Sequence, residues 1–328
     1  MRYSNFFQRY IPNLFNGLKK CPFCLNEVKF ENYTCPHPDC KNLKNPVPPM
    51  YIKDYRRYPP VIASAVGFRG HGKTVYFSSL FYILQQGVLA ESWRGFYHTP
   101  LSTEGLRIIF EKADELSKGK LPESTPKNAF PEPVLVRVSR VPLQEDCTFL
   151  FYDVNGESFE NPDEFDKYAP FLRHARTVLF LISVSGLHNP QVEMKALLDK
   201  YILGMTNNLK AETRDQHLVV VYTQADKIKF SNEWHDLKTY LTEGALTSLK
   251  DPKGYMGSLD WVSTRLHEFT ENELRAASFL NAAKGNFKSI ALCMVSALGT
   301  EPSNGQLSIE VVPRRIIDPL LWMMKKSS

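Results

Sequence analysis

The run Gly67-Phe-Arg-Gly-His-Gly-Lys-Thr74 fits the pattern G-x-x-x-x-G-K-[ST] in full. Glycines at this spacing let backbone N–H groups curl around an anion, the lysine reaches terminal phosphates, and the final hydroxyl can ligate magnesium. The pattern carries this meaning between a strand and a helix. Here Val61–Val66 reads as a strand and the residues from Thr74 as a helix, whose positive end faces the anion. Gly67, Gly70, His71, Gly72, Lys73 and Thr74 are therefore expected to cradle nucleotide phosphates. Thr74 would take Mg2+, and Lys73 counts among the catalytic candidates.

Two further groups follow strand-like runs. Thr148–Tyr152 ends in Asp153-Val-Asn-Gly156-Glu157. An aspartate at a strand end can hold magnesium through water, and a glycine three residues on can offer its N–H to a γ-phosphate. Glu157 comes directly after and is a further catalytic candidate. A carboxylate beside three phosphates is electrostatically awkward, but it can act as a base if its pKa is raised. His217–Tyr222 runs into Thr223-Gln-Ala-Asp226, and Ser296-Ala-Leu298 follows the last strand.

A separate chemistry sits near the N-terminus. Four of the six cysteines fall in Cys21-Pro-Phe-Cys24 and Cys35-Pro-His-Pro-Asp-Cys40. Each pair forms a turn that aims two thiolates at one point, and zinc closes such a set tetrahedrally as a structural site. Metal binding would supply stability that so short a knuckle cannot draw from a core. His37 lies inside the wider second pair, so a shell of three cysteines and one histidine stands as the alternative. Cys147 and Cys293, inside apolar runs, read as core thiols.

Together the nucleotide motifs resemble those of TRAFAC-class P-loop GTPases. Thr223-Gln-Ala-Asp226 is similar to that class's [NT]KxD guanine motif, and Ser296-Ala-Leu298 to its SAK motif. The resemblance implies GTP/GDP as the ligand. Asp226 would accept two hydrogen bonds from the guanine edge, which adenine cannot supply, while backbone at Ser296, Ala297 and Leu298 meets the guanine oxygen. Gln224 stands where the class carries a lysine whose stem covers the base, which lowers the expected affinity. Glu157 replaces the glutamine of Ras-like enzymes. Arg69 is either a built-in finger or a side chain in solvent. Slow hydrolysis, raised by a partner, is the expectation. The class also implies a threonine that senses γ-phosphate through Mg2+. Thr125, in Leu121-Pro-Glu-Ser-Thr125-Pro, takes that role and joins Lys73 and Glu157 as a catalytic candidate, with Thr99 and Thr103 as rivals.

The zinc ribbon, the LPxxTP segment, DxxGE and Arg314-Arg-Ile-Ile-Asp-Pro-Leu-Leu-Trp322 make the chain similar to the bacterial double-GTPase families of that class. Those families imply a GTP-dependent molecular switch in a signalling or conflict (defence) system. Their protein partners are other GTPases or activator-like proteins. The other reading is a GTP-stabilised adaptor with little hydrolysis that recruits through its ribbon.

Positioning these groups requires a sheet. The runs Val61–Val66, Val134–Val138, Thr148–Tyr152, Thr177–Val184, His217–Tyr222 and Ile290–Val295 alternate with helical stretches. They predict an α/β fold, a doubly wound sheet of about six mostly parallel strands. The expected division is an amphipathic helix over 1–19, a zinc ribbon over 20–41, a proline- and tyrosine-rich linker over 42–60, and a GTPase domain over 61–328 with a helical insert at 227–289. Phe6, Phe7, Tyr10, Ile11, Leu14, Phe15 and Leu18 form one apolar stripe, either packed on this protein or docking a partner or membrane surface. The net charge of +5, from 40 basic and 35 acidic residues, is too mild to argue for nucleic acid. No apolar run is long enough for a transmembrane segment. With no signal-like start and thiols grouped as for metal, the expected compartment is the cytoplasm.

Overall fold

The computed structural model describes residues 17–38, 40, 46–123, 132–242, 249–299, 307 and 311–327. The apolar stripe of residues 3–18, but for Leu18, and Thr125 lie outside the described residues. The knuckle opens with two short antiparallel strands, β1 (Lys19–Lys20) and β2 (Glu27–Val28). A five-residue helix, α1 (Pro49–Lys53), follows.

The main sheet then holds β3 (Pro60–Val66), β4 (Tyr97–Pro100), β5 (Val134–Ser139), β6 (Cys147–Tyr152), β7 (Thr177–Ser183), β8 (His217–Thr223) and β9 (Ser289–Met294) in the order β4-β5-β6-β3-β7-β8-β9. From β6 to β9 neighbouring strands are parallel, while β4 and β5 run antiparallel. Continuous apolar runs suit such strands because helices cover both faces. On β7, Val178, Phe180 and Ile182 enter one core, and Leu179 and Leu181 the other.

The helices over the sheet and its loops are α2 (Lys73–Gln85), α3 (Val88–Ser92), α4 (Thr103–Ser117), α5 (Phe165–Tyr168), α6 (Pro190–Leu203), α7 (His235–Thr242), α8 (Pro252–Asn272), α9 (Ala277–Asn286) and α10 (Asp318–Ser327). Helices α7 to α9 occupy the expected insert. Trp234, Leu237, Tyr240, Leu241, Leu266 and Phe269 are buried there, whereas Trp261 stays 43% exposed beside the Tyr240 ring.

Among the described residues the main sheet has seven strands where about six were expected. The addition, β4, reads Tyr-His-Thr-Pro, has no buried residue and carries no apolar run that a period of two could reveal. It exists because the edge of β5 accepts it, Thr99 lying opposite Arg137. Thr99 is thus a strand residue. Thr103 is the first residue of α4, whose cap is Ser102, with its hydroxyl accepting from the Gly105 N–H at 3.0 Å.

The stretch 42–60, read as a linker, packs where it is described. Val47, Tyr51 and Tyr58 are buried, and Arg137 of β5 donates to the Met50 carbonyl at 3.1 Å and to Asp54 at 2.8 Å. Its prolines shape a close path over the sheet and admit α1, Pro49 filling the first helical position. Val47 and Tyr51 share one core with Cys21, Leu25 and Val28 of the knuckle and Leu150 and Tyr152 of β6. Cys147 and Cys293 are buried as expected, and burial pushes both thiols up.

The C-terminal helix is fixed by a buried carboxylate. Asp318 accepts from Tyr240 at 2.6 Å and from the Tyr255 hydroxyl. Arg315 lies 3.7 Å over the Tyr240 ring and donates from Nε to the Tyr240 carbonyl at 2.8 Å. Burial pushes the Asp318 carboxyl up to about 6, against the pull of Arg315 and the two hydroxyls. Replacing it with alanine strands two hydroxyls and a cation in the interior. Asp318→Ala is expected to cost about 3–5 kcal/mol in urea unfolding, and Asp318→Asn, which keeps an acceptor oxygen, clearly less. Equal losses for the two variants would mean that the carboxylate does not organise this corner.

Candidate functional site

The loop between β3 and α2 is held from both sides. Gly72, at φ 76°, caps α2 in the left-handed region, where a side chain is strained. The Lys73 ammonium turns back and donates to the carbonyls of Gly67 at 2.5 Å and Phe68 at 2.9 Å. Burial lowers its pKa to about 8, against the opposite pull of Asp153 and Glu160. His71 points away from the loop's concave side. Its Nδ1 lies 3.0 Å from the Leu181 carbonyl on β7, so that nitrogen carries the proton. Burial holds the ring's pKa below the ordinary histidine value. Thr223 completes the clamp by donating to the His71 carbonyl at 3.0 Å. His71 and Thr223 thus bind the loop to β7 and β8.

Asp153 follows β6 directly. Its Oδ1 accepts from the Thr74 hydroxyl at 3.3 Å, and its Oδ2 lies 3.5 Å from the Lys112 ammonium of α4. Lys112 had no signal in the sequence, because a lysine on an amphipathic helix looks like any other. Three residues on, Gly156 sits against the glycine loop. A Cβ there would meet the Arg69 nitrogen at 2.6 Å and the Lys73 Nζ at 2.7 Å, so the approach requires glycine. Asn155 shapes this bend by accepting from the Glu157 N–H at 2.8 Å. Glu157 pairs with Arg69 at 3.1 Å, although the Arg69 side chain is 80% exposed. Arg69 is therefore both at the surface and engaged.

The loops after β8 and β9 form the other end. Gln224 is left-handed at φ 50°, and its amide donates to the Gly70 carbonyl at 3.2 Å. Asp226 sits exposed on the short turn that follows. The Ala225 N–H donates to the Val295 carbonyl at 3.1 Å, which joins the two loops. Ser79 of α2 donates to the Ala297 carbonyl at 2.8 Å, and the Ser296 hydroxyl accepts from Gly299 at 3.1 Å.

These loops enclose a cavity of about 450 Å3, within the roughly 300–1,000 Å3 usual for small-molecule sites. Gly70, Gly72, Lys73, Thr74, Gly156, Glu157, Thr223, Gln224, Asp226, Ala297 and Leu298 line it, whereas Gly67, His71, Asp153 and Ser296 are not among the lining residues. Arg69, Asn155 and Lys227 join the lining. So do Leu121, Pro122 and Glu123, the start of the segment that holds Thr125.

The four cysteines converge separately. Cys21, Cys24, Cys35 and Cys40 place all their sulfurs within 4.8 Å of one another, with Cys21–Cys40 at 3.9 Å and Cys24–Cys35 at 3.6 Å. A tetrahedral shell with Zn–S near 2.3 Å separates its sulfurs by about 3.8 Å, so this set fits zinc. His37 is not part of the group among the described residues.

A glycine loop, a carboxylate and a second carboxylate-bearing loop, all at the C-terminal ends of parallel strands around one cavity, have the arrangement of a P-loop nucleotide site. The chain belongs to the Double-GTPase 2 family, whose model matches residues 62–278. Membership makes it a GTP-binding protein.

No curated protein matches the sequence. Among solved structures, it is similar to the S. cerevisiae Ski7 GTPase-like domain bound to GDP and inorganic phosphate. The identity is 14% over 83% of this chain and 51% of that one, with a TM-score of 0.37. It is also similar to sup35 complexed with GDP, at 13% identity over 73% of this chain and 38% of the other, with a TM-score of 0.29. The chain spans about half the length of the Ski7 chain it matches.

The sulfur geometry has a measurable consequence. Purified without chelator, the protein is expected to carry about one zinc per chain by metal analysis. Cys24→Ser should lower that content and the thermal midpoint together, since metal affinity is folding energy in so small a knuckle. A zinc-free protein with an unchanged midpoint would contradict the assignment.

Proposed function

We propose that the cavity binds GTP and GDP with Mg2+, and that the protein is a slow GTPase working as a nucleotide-dependent switch. The observation that carries this reading is that Lys73 and Asp226 line one cavity from opposite ends. Lys73 faces the phosphates, and the N–H groups of Gly70 and Gly72 wrap them. Thr74 and Asp153, already 3.3 Å apart, hold the metal corner. The Gly156 N–H meets the γ-phosphate, and Thr125 closes over it. Thr223 and Gln224 fix the base loop, Asp226 reads the guanine edge, and backbone at Ser296, Ala297 and Leu298 meets its oxygen. Mg2+, when bound, neutralises phosphate charge; it supports transfer without itself choosing the base.

Slow hydrolysis follows from Glu157. A carboxylate engaged by Arg69 and facing phosphate charge is poorly placed to orient water, so a partner that rearranges the pair would raise the rate. Such partners, other GTPases or activator-like proteins of one signalling or defence system, belong to the proposal. The same ion pair favours the second reading, an adaptor that binds GTP, hardly hydrolyses it and recruits through the ribbon. Single-turnover hydrolysis separates the two. Among the described residues no helix is long and apolar enough to cross a membrane, and the metal-type cysteine set suits the reducing cytoplasm. A ribbon over 20–41 serving a GTPase unit over 61–328 remains the proposed division.

Base choice is tested at Asp226. Titration of labelled nucleotides should show GTP bound more tightly than ATP, and Asp226→Asn should remove about 2 kcal/mol of that preference. Equal affinities in the parent protein would refute guanine recognition.

The phosphate end has a pH signature. Phosphates favour protonated Lys73, raising its pKa in the complex above the value of about 8 in the free site. Affinity should be level below pH 8 and fall as pH rises through it, by about tenfold at pH 9. Lys73→Ala should weaken binding by about 2–3 kcal/mol and flatten that fall, while reporting any ionisation of the nucleotide itself. A parent profile flat from pH 7 to 9 would contradict the role.

A further inference from the structure

Tyr152 ends β6, and Asp153 is the next residue. The Tyr152 ring is fully buried and stacks on Phe171, with centroids 4.4 Å apart and planes 5° apart. Its hydroxyl donates to the carbonyl of Pro22 at 2.5 Å. Pro22 lies between Cys21 and Cys24, two of the four converging thiols. One buried hydroxyl therefore joins the cysteine knuckle to the residue beside the carboxylate at the cavity's metal corner.

We infer that Tyr152 is a positioning residue that makes the knuckle part of the nucleotide site, linking zinc occupancy to Mg2+-dependent nucleotide binding. The inference rests on the GTP-site reading and adds its regulation.

The coupling starts at the cysteines. A metal tying Cys21 to Cys24 fixes the Pro22 carbonyl between them. Without the tie, a knuckle this small cannot hold its turn. Tyr152 must then either lose its acceptor inside the core or follow it. Following it moves Asp153 relative to Thr74 and Lys112, which lie 3.3 and 3.5 Å from its carboxylate. By that movement the metal's free energy at the knuckle enters the nucleotide equilibrium, and linkage of this kind is reciprocal. The base end is insulated. Asp226 follows β8, which is separated from β6 by β3 and β7, and its loop is tied to Gly70 and Val295. The coupling should therefore appear in Mg2+ dependence and leave base preference alone.

A neighbouring tyrosine provides the contrast. The Tyr51 hydroxyl donates to the Lys20 carbonyl at 2.7 Å, which fastens the same knuckle to α1 and away from Asp153.

The test measures the half-saturating Mg2+ concentration for labelled GDP and GTP, with zinc bound and after chelation under reducing conditions. Zinc removal is expected to raise it about tenfold, the scale of one buried hydrogen bond, with the GTP-over-ATP preference unchanged. Tyr152→Phe, which keeps the ring stack, should shift the zinc-loaded protein the same way and reduce the further response to zinc below about twofold. Tyr51→Phe should speed zinc loss to a chromogenic chelator without moving the Mg2+ midpoint. In the parent, Mg2+ with nucleotide should slow that zinc loss. An unchanged Mg2+ midpoint in zinc-loaded Tyr152→Phe overturns the inference, as does an equal shift in Tyr51→Phe. If the parent binds no guanine nucleotide, the functional reading fails separately. Hydrogen exchange at residues 153–159 then decides the coupling: lost protection on zinc removal supports it, and unchanged protection overturns it.

Discussion

Much of this structure depends on burying one ammonium. Lys73 Nζ is taken out of water and held by the carbonyls of Gly67 and Phe68. A buried cation is costly without compensation, and the surrounding elements supply it. The loop must curl tightly enough to present those carbonyls, which needs Gly72 in the left-handed region. Gly156 lies so close to the loop and to the ammonium that any Cβ is excluded. The loop must also stay fixed, and His71 and Thr223 fix it to β7 and β8. The parallel strands β6, β3, β7, β8 and β9 carry all these groups to one end of the sheet.

Those features explain what was legible in the sequence. A mechanism that tolerates few residue types leaves a readable pattern, as at Gly67–Thr74 and at Asp153 with Gly156. Strands buried on both faces also announce themselves, and the six expected runs match β3 and β5 to β9 to within about two residues, the usual uncertainty of an element end. What stayed hidden is held by tertiary context alone. Strand β4 depends on the edge of β5, and Lys112 gains meaning only when α4 sets it against Asp153. The packing of residues 46–60 was masked by a proline content that resembles a linker's.

The ribbon shows the same limit from another side. Composition separates residues 20–41 from the rest of the chain, since cysteines and turn residues replace apolar periods. Packing does not separate them. Cys21, Leu25 and Val28 share a core with Tyr51, Leu150 and Tyr152. So small a knuckle has little apolar interior of its own, and this one borrows the face of the sheet that leads to Asp153. Sequence composition marks a chemical change along the chain; it does not mark where cooperative structure ends.

Charge at the cavity is arranged unevenly, and the unevenness bears on binding and hydrolysis separately. Lys112 stands beside Asp153, with both side chains about a fifth exposed, and Arg69 beside Glu157 at the rim. Lys73 is held by neutral carbonyls. An anion entering the loop gains most from Lys73, where neutral dipoles give way to full charge in a dry setting. The rim pair offers little attraction of its own, because Arg69 is mostly in water and such a pair is weak. It is also cheap to rearrange. The buried ammonium and the exposed rim pair thus divide the site: Lys73 is held by carbonyls inside it, whereas Arg69 and Glu157 meet at its edge. On the proposed reading, such an arrangement would bind phosphate without help and leave any hydrolysis to a partner that engages Arg69 and Glu157.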